Sequence, residues 1–286
     1  MLSISGIVSA VSPAETEEQA RGRTMGVDAG NAAETLMRDH AGGATFQPFA
    51  ADLGIAAAED AYAVQREYVR LLTKSRDTKA AGYKIGLTTP RMQAMCGIDS
   101  PVAGVILQDR VHASGSHIST TAYGRLGLEF EIAVRVGRDL VPVGQPPSIA
   151  DVAAAVDGVC PAIELIDDRG ADYRRLDALS LIADNAWNGG IVLGEFTRSF
   201  PDLAATEAVI AEDGKVVDRG FGRDVLGHPF HSVAWLATHL AARGSRLRAG
   251  DVVMTGSVVT TKFPDRFTQY HYELTGCGAV DLTVDA

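Results

Sequence analysis

Three glutamates lie in apolar stretches of the sequence, where a carboxylate is expected to have a partner. Glu129 and Glu131 alternate with apolar residues in Leu128–Val136, so on a β-strand both point to one face, roughly 6–7 Å apart at the backbone. Glu164 lies inside the apolar run Val159–Ile166. Burying such a carboxylate is costly unless it is paired or binds a metal. Three acids with no Cys or His at ligand spacing favour an all-oxygen Mg²⁺ or Mn²⁺ site.

Glu129 and Glu131 taken alone have a simpler interpretation, as the solvent-exposed face of a half-buried strand. Glu164 weighs against it, because the residues on both sides of Glu164 are apolar. We therefore favour the metal site.

Lys84 adds a positive charge to this set. It lies between glycines, next to aromatic and aliphatic residues, in Gly82-Tyr-Lys-Ile-Gly-Leu-Thr-Thr89. Alone, this segment is interpreted more simply as a strand with a solvated lysine. Together with three acids, it predicts a metal centre with a nearby cation or proton carrier. Such a centre suits 2-oxo acids, because a metal can hold the carboxylate and 2-oxo oxygens while the lysine neutralises charge or moves a proton.

The chain that must position these residues is of ordinary globular composition. Its 286 residues are 46% hydrophobic and 22% charged, enough for one large domain or two modest ones. A formal net charge of −10 argues against binding nucleic acid or a membrane surface. The three cysteines are far apart and odd in number, so we expect buried free thiols. The N-terminus lacks a basic n-region, and the expected compartment is the cytoplasm.

Periodicity and turn residues predict an α+β protein. Helices are expected near 31–38, 58–72, 151–156 and 231–243, and strands near 81–86, 104–107, 128–136, 159–166, 187–194, 208–217, 251–255 and 278–284. These elements do not follow the regular β-α alternation of a doubly wound sheet. We expect a flexible leader over 1–28, a helical part over 29–79 and a β-rich catalytic body over 80–286, the last two forming one functional unit.

Six motifs in order give the chain a family resemblance. They are Gly-Tyr-Lys84-Ile-Gly-Leu-Thr, the Glu129-x-Glu131 pair, Glu164 in Pro-Ala-Ile-Glu, Ala183-Asp-Asn-Ala186, Val225-Leu-Gly-His-Pro229 and Gly250-Asp-Val-Val-Met-Thr-Gly256. Over about residues 45–285 the chain resembles the 2-keto-4-pentenoate hydratase and 4-oxalocrotonate decarboxylase family. That family lies within the fumarylacetoacetate hydrolase superfamily.

The resemblance implies a fumarylacetoacetate-hydrolase-like β-rich body and functional roles for six residues. The matched roles are Glu129, Glu131 and Glu164 as Mg²⁺ or Mn²⁺ ligands, Lys84 as the catalytic and substrate-binding lysine, and Thr255 and Gly256 as substrate-binding residues. The implied activity is a lyase of short 2-oxo or 2-hydroxydienoate acids, a hydratase of aromatic-compound catabolism first of all. A homo-oligomer is implied, with a pathway enzyme as a further candidate partner.

Two positions depart from the family pattern. Hydratases of the family commonly carry an acid in Pro-Asp-Phe-Gly, but here the stretch reads Pro101-Val-Ala-Gly104, so Val102 cannot act as an acid or base. Trp187 follows Ala-Asp-Asn-Ala, where the family usually has a small residue. Trp187 either narrows the pocket with an apolar wall or packs in the core or at a subunit contact.

Other functions stay open. Val102 leaves room for a decarboxylase of the same family, since those also lack the acid. An acylpyruvate C–C hydrolase would need a His-Glu water activator, for which the N-terminal part shows no matching pair. A catalytically silent partner subunit is the non-enzyme alternative.

Several polar residues beside the motifs are expected to be structural. His228 and His231 fit a turn and a helix start, and the run 167–169 (Asp-Asp-Arg) fits a local ion pair. Asp184 and Asn185 either cap a turn or hydrogen-bond to the metal ligands.

Overall fold

The computed structural model describes residues 27–285, so all but the last two residues of the predicted leader 1–28 lie outside the described residues. Within that part the helices are α1 (Ala29–Ala41), α2 (Ala58–Arg76), α3 (Pro90–Cys96), α4 (Ile149–Ala155), α5 (Ala178–Ala183) and α6 (Pro229–Ala241). The strands are β1 (Ala80–Gly86), β2 (Val102–Leu107), β3 (Val111–Ala113), β4 (Ser116–Ser119), β5 (Leu126–Val136), β6 (Val156–Asp167), β7 (Asn188–Leu193), β8 (Glu207–Glu212), β9 (Lys215–Phe221), β10 (Val252–Ser257), β11 (Thr268–Leu274) and β12 (Gly278–Asp285).

The strands form two mixed sheets. The larger has the order β2-β1-β10-β5-β6-β7-β3, and the smaller has the order β4-β12-β11-β8-β9. Within residues 27–285 the parallel pairs are β1 with β10, β3 with β7 and β4 with β12, and the other neighbours are antiparallel. Mixed sheets with helices outside a β-α alternation confirm the predicted α+β class.

The centre of the larger sheet is the antiparallel pair β5 and β6. The sequence of β5 alternates apolar residues with others, whereas β6 is a nearly continuous apolar run, which favours a strand buried on both faces. In their register Glu129 lies opposite Glu164, and Glu131 lies opposite Ala162. Glu131 and Ala133, on the face that alternation alone would leave to solvent, are both completely buried. The simpler exposed-face interpretation of the glutamate pair is therefore wrong.

Helix α2 holds the edge of this sheet. Ala61, Val64 and Tyr68 are buried along its predicted apolar stripe. Gln65, also buried, donates from its amide nitrogen to the carbonyl oxygens of Ala103 on β2 and Ile182 on α5, both at 2.8 Å. These hydrogen bonds connect β2 to α5. The segment that directly follows α5 carries residues of the candidate site.

The short elements were the ones that the sequence patterns missed. Helix α3 has one side-chain cap, Thr89, and Pro90 in its first turn, but too few residues for a periodic signal. Strand β11 does alternate buried and exposed residues along Thr268–Leu274, so a usable signal was present there. The three cysteines are free and buried, as predicted. None of the helices in the described part has the length and apolarity to cross a membrane.

Candidate metal centre

The three glutamates converge at the middle of the larger sheet. Glu129 and Glu131 lie on β5 and Glu164 on β6, and one carboxylate oxygen of each lies within 4.8 Å of the others. Glu131 and Glu164 are fully buried, while Glu129 is half-buried. Like charges placed opposite one another across strands are destabilising. The cluster therefore calls for a positive partner.

Each carboxylate divides its two oxygens between the protein and the space in the middle. One oxygen of each accepts a hydrogen bond: Glu129 from the Thr261 hydroxyl at 2.8 Å, Glu131 from the Gly256 N–H at 2.7 Å, and Glu164 from the Asn188 amide at 3.0 Å. The other oxygens of Glu131 and Glu164 are buried with no hydrogen-bond partner among residues 27–285. A buried carboxylate oxygen without a partner is costly, and a hard cation satisfies it. The donor set fits Mg²⁺, which prefers carboxylate oxygens.

The electrostatics of the cluster also point to a cation. Burial, followed by repulsion from Glu164 and Glu129, raises the pKa of Glu131 well above its usual value. Burial raises the pKa of Glu164 to about 7, even though Lys84 opposes the shift. Burial lowers the pKa of Lys84, but attraction to the three carboxylates outweighs it, so the net shift is upward. One ammonium against three carboxylates leaves two negative charges, the charge that one divalent cation would balance.

Lys84 reaches the cluster from β1, two strands away from β5. It is 3% exposed, and its Nζ lies 3.3 Å from Glu164 Oε1. Gly104 on the neighbouring β2 makes room for it, because a Cβ at Gly104 would lie 3.1 Å from Lys84 Cγ and 2.5 Å from the Asn185 carbonyl oxygen. The sequence prediction of a desolvated lysine next to three acids therefore matches the geometry.

Thr255 and Gly256 lie at a register shift between β10 and β5. The Thr255 hydroxyl donates to the carbonyl oxygen of Ile132, and the side chain is fully buried. Gly256 has φ +114, and a Cβ there would lie 2.6 Å from the Thr88 methyl carbon. Neither Thr255 nor Gly256 is among the described residues that line the cavity beside the glutamates. Their substrate-binding role therefore stays a prediction. In the structure, the Gly256 N–H donates to the Glu131 carboxylate and orients it.

A cavity of about 630 Å³ opens beside this centre. Lys84 and Glu129 are the residues of the centre that line it, and Val102 contributes a completely buried apolar side chain to its wall. Trp187 lines the same cavity and is also packed edge-on against Phe46, with ring centroids 5.0 Å apart. Trp187 therefore packs in the core and also forms part of the wall of the pocket.

The segment that carries Trp187 has an unusual backbone. Asn185, Ala186 and Trp187 have φ +52, +49 and +59, so three consecutive residues are left-handed. The Asn185 side chain fixes this turn, since it accepts from the N–H of Val105 at 2.7 Å and donates to its carbonyl oxygen at 2.9 Å. The turn ends at Asn188, the partner of Glu164. Sequence reasoning missed Asn188, because no local pattern indicates which side chain faces a distant glutamate.

The neighbouring charged residues have structural partners. Asp184 accepts from Arg169 at 2.6 Å and pairs with His40 at 2.7 Å, so neither it nor Asn185 contacts the metal ligands. Asp168 pairs with Arg125, at 2.5 Å, and not with Arg169. The expected local ion pair in 167–169 is therefore wrong, because Asp168 pairs with a residue 43 positions earlier and Arg169 with a residue 15 positions later.

The two histidines are structural, as expected. His228 Nδ1 accepts from the Phe230 N–H at the start of α6, and His231 Nδ1 lies 2.9 Å from the carbonyl oxygen of Leu226.

The chain is similar in sequence to a known family and to several characterised proteins. The family described as fumarylacetoacetate (FAA) hydrolase C-terminal matches residues 77–284. The chain is 35% identical over 230 residues to 2-oxo-hept-4-ene-1,7-dioate hydratase from Escherichia coli, covering 78% of this chain and 85% of that protein. It is 33% identical over 226 residues to 2-keto-4-pentenoate hydratase from Burkholderia vietnamiensis, covering 78% and 84%.

A solved structure has a similar fold. It is 4-oxalocrotonate decarboxylase from Pseudomonas putida G7, complexed with magnesium and adipate. The TM-score is 0.83 at 29% identity, and the match covers 90% of this chain and 97% of that one.

Proposed function

Because the chain belongs to the family of 2-keto-4-pentenoate hydratases and 4-oxalocrotonate decarboxylases, within the fumarylacetoacetate hydrolase superfamily, we propose that it is a metal-dependent lyase. Its substrate is a short 2-oxo or 2-hydroxydienoate acid, and its first activity is hydration of the 2-keto-4-pentenoate type. The observation that carries this proposal is the pair of buried oxygens of Glu131 and Glu164, beside Lys84, that have no hydrogen-bond partner in the described part of the chain.

Each residue of the centre has a part in this proposal. Glu129, Glu131 and Glu164 hold Mg²⁺ or Mn²⁺, and the magnesium in the similar decarboxylase structure supports a divalent ion. The bound ion would hold the carboxylate and 2-oxo oxygens of the substrate and stabilise an enolate. Lys84, buried and cationic, carries or neutralises the charge that moves during proton transfer. Thr255 and Gly256 shape the centre from β10.

Decarboxylation is the second candidate, and Val102 favours it. The side chain at this position lines the cavity but has no titratable group, so it cannot help to add water. Loss of CO₂ needs no such group, because the electron pair left behind is taken up as the enolate.

One assay separates the two activities. A 2-hydroxydienoate and a 2-oxo-3-enedioate are each offered with Mg²⁺ and with a chelator. The proposal expects Mg²⁺-dependent water addition without CO₂ release, whereas CO₂ release identifies a decarboxylase. Absence of any Mg²⁺-dependent turnover would contradict the lyase and favour the silent subunit.

Metal binding is tested directly with Glu131→Gln. Glutamine keeps an acceptor for the Gly256 N–H and resembles the protonated carboxyl that burial favours, so the fold should persist. Calorimetry should show Mg²⁺ affinity reduced by a hundredfold or more, since a buried ligand is lost. Glu273→Gln, on the exposed face of β11, is the matched control and should bind as the wild type does. Equal binding by all three proteins would remove Glu131 from the centre.

A homo-oligomer and a cytoplasmic location complete the proposal, with a pathway enzyme as a further partner. Support for self-association comes from β9, an edge strand on which Val216 and Val217 are 54% and 43% exposed. Exposed apolar edges are normally covered. Sedimentation should show a multimer, and a monomer at micromolar concentration would contradict it.

A further inference from the structure

The cavity beside the centre is larger than the smallest acids of this class require. Its volume of about 630 Å³ lies in the range of pockets that enclose drug-sized ligands. A 2-oxo acid anchored at Lys84 and Glu129 fills only the inner end. The shape and chemistry of the remainder therefore decide which tail the substrate carries.

One wall of that remainder is aromatic and fixed. Trp187, Tyr173 and Phe263 form a continuous surface, with ring centroids 5.9 Å and 6.3 Å apart along the row. Phe46 supports Trp187 from behind. The backbone on both sides of Trp187 is hydrogen-bonded, from the Trp187 N–H to the Asp184 carbonyl oxygen and from the Asn188 N–H to the Asn185 carbonyl oxygen. Packing against Phe46 and Tyr173 holds the indole ring itself.

Two polar groups at this wall, the Tyr173 hydroxyl and the Arg125 guanidinium, already have partners, whereas the buried indole N–H of Trp187 has none among residues 27–285. The Tyr173 hydroxyl donates to Asp168 at 3.1 Å. Arg125 stacks on Phe263, with its guanidinium carbon 4.9 Å from the ring centroid, and its Nε and Nη2 donate to Asp168 and the Ala171 carbonyl oxygen. The Tyr173 hydroxyl hydrogen is therefore engaged, and the charge of Arg125 is already paired with Asp168.

Arg91 is the remaining cation on the described lining of the cavity. It lies at the start of α3, is exposed, and has no ion-pair partner within residues 27–285. An ion pair with an exposed arginine is screened by solvent and contributes little. A tail carboxylate placed against the aromatic rings would be desolvated there, which costs free energy.

We propose that the site selects 2-oxo or 2-hydroxydienoate acids whose far end is apolar, and that Trp187 is the residue that determines this preference. The inference rests on the proposed function for the inner end of the site. An alkyl or aryl tail removes apolar area of the wall from water, which stabilises the complex. A second carboxylate in the same place is desolvated.

The test measures binding as well as turnover. Saturated 2-oxo acids with alkyl tails of increasing length, and a 2-oxo dicarboxylate of matched length, are titrated into the Mg²⁺-loaded protein. Affinity should rise roughly fourfold for each buried methylene group. The dicarboxylate should bind at least tenfold more weakly than its alkyl counterpart. The corresponding 2-hydroxydienoates should show the same order in kcat/KM.

Four variants connect the result to the aromatic wall. Trp187→Ser should lose most of the alkyl preference while Mg²⁺ affinity stays unchanged, and Trp187→Phe should keep part of it if the serine variant folds poorly. Trp235→Phe is the control, since Trp235 stacks on His239 of α6, and it should behave as the wild type. Arg91→Ala should leave alkyl binding unchanged.

The outcomes separate the two proposals. Alkyl preference in binding without any turnover supports the inference and contradicts the lyase. Tighter binding of the dicarboxylate, lost in Arg91→Ala, overturns the inference and makes Arg91 the residue that recognises the tail. Equal binding of both tails overturns it as well.

Discussion

At the residue scale, each glutamate of the centre uses one oxygen for a hydrogen bond that holds its position. The second oxygens of Glu131 and Glu164, which have no partner within residues 27–285, are the ones that we propose for the ion. Glu131 is oriented by a backbone N–H, but Glu164 depends on two side chains, Asn188 and Lys84. A backbone donor cannot be removed by mutation, whereas side-chain donors can. Lys84 and Asn188 are therefore the residues through which the centre can be probed.

Lys84→Met tests whether the ammonium takes part in the chemical step. Methionine fills the same buried space without charge, and turnover should fall by roughly 10²–10⁴-fold, the usual contribution of a positioned proton carrier. In excess Mg²⁺ the melting temperature should stay within a few degrees. Lys74→Met, at an exposed position in the last turn of α2, is the control. Steady-state kinetics check the result, and activity within a few-fold of wild type would exclude this role for Lys84.

Asn188→Ala tests the orientation of Glu164. Loss of the amide donor leaves the carboxylate less stabilised, so its pKa should rise further and Mg²⁺ affinity should fall about tenfold. The midpoint of Mg²⁺ binding against pH should move to higher pH, which a purely structural role would not produce. Thr261→Val removes the donor of the half-buried Glu129 and should have a smaller effect. An unchanged midpoint in Asn188→Ala would exclude the positioning role.

At the scale of elements, the left-handed turn at 185–187 joins α5 to β7 and carries both wall and centre. Left-handed backbone costs roughly 1–2 kcal/mol for each residue other than glycine. Strain of this kind persists where surrounding structure holds it, commonly at functional sites. Here it allows one short turn to present Trp187 to the cavity and, one residue later, Asn188 to Glu164.

Two alanine-to-glycine substitutions measure this strain. Ala183, the last residue of α5, and Ala186, in the turn, are both buried, so each loses a similar methyl group on change to glycine. Ala183→Gly should also lose helix propensity, whereas Ala186→Gly relieves left-handed strain. We expect Ala183→Gly to be the less stable of the two by about 2 kcal/mol. Denaturant unfolding measures both, and equal stabilities would show that the turn is unstrained.

At the scale of the whole molecule, ion binding and stability should be coupled through pH. Burial raises the pKa of Glu164 to about 7, against about 4.5 in the unfolded chain, so below about pH 7 the metal-free fold favours the protonated form. The stabilisation from that raised pKa is complete below about 4.5 and is lost as pH rises to about 7. Glu131 shifts in the same direction. His239 opposes this trend, because burial lowers its pKa to about 4.

The difference between Mg²⁺-loaded and metal-free protein cancels the histidine contribution. Because Mg²⁺ displaces the protons, its affinity should fall about tenfold from pH 8 to pH 6, and its increase in melting temperature should shrink accordingly. Differential scanning calorimetry with and without Mg²⁺ at several pH values checks this. If the increase in melting temperature caused by Mg²⁺ is the same at pH 6 and pH 8, the raised pKa values of the buried carboxyl groups are contradicted.

Local patterns in the sequence were sufficient for the long elements and for the residue types of the centre. Alternation over 128–136 and the apolar run around Glu164 predicted two strands and three unusual acids, because period and hydrophobicity are local properties. The order of six motifs indicated the family. The simpler exposed-face interpretation failed because alternation shows which residues share a face, but not whether a second layer covers it.

Tertiary structure alone decided how these residues meet. The register that sets Glu129 opposite Glu164, and the strand order that brings Lys84 from β1, are non-local and leave no trace in either segment. The same is true of Asn188, whose contact with Glu164 depends on a turn fixed by Val105. Sequence determined which side chains could do the chemistry, and packing of the sheet determined which oxygens remained free to do it.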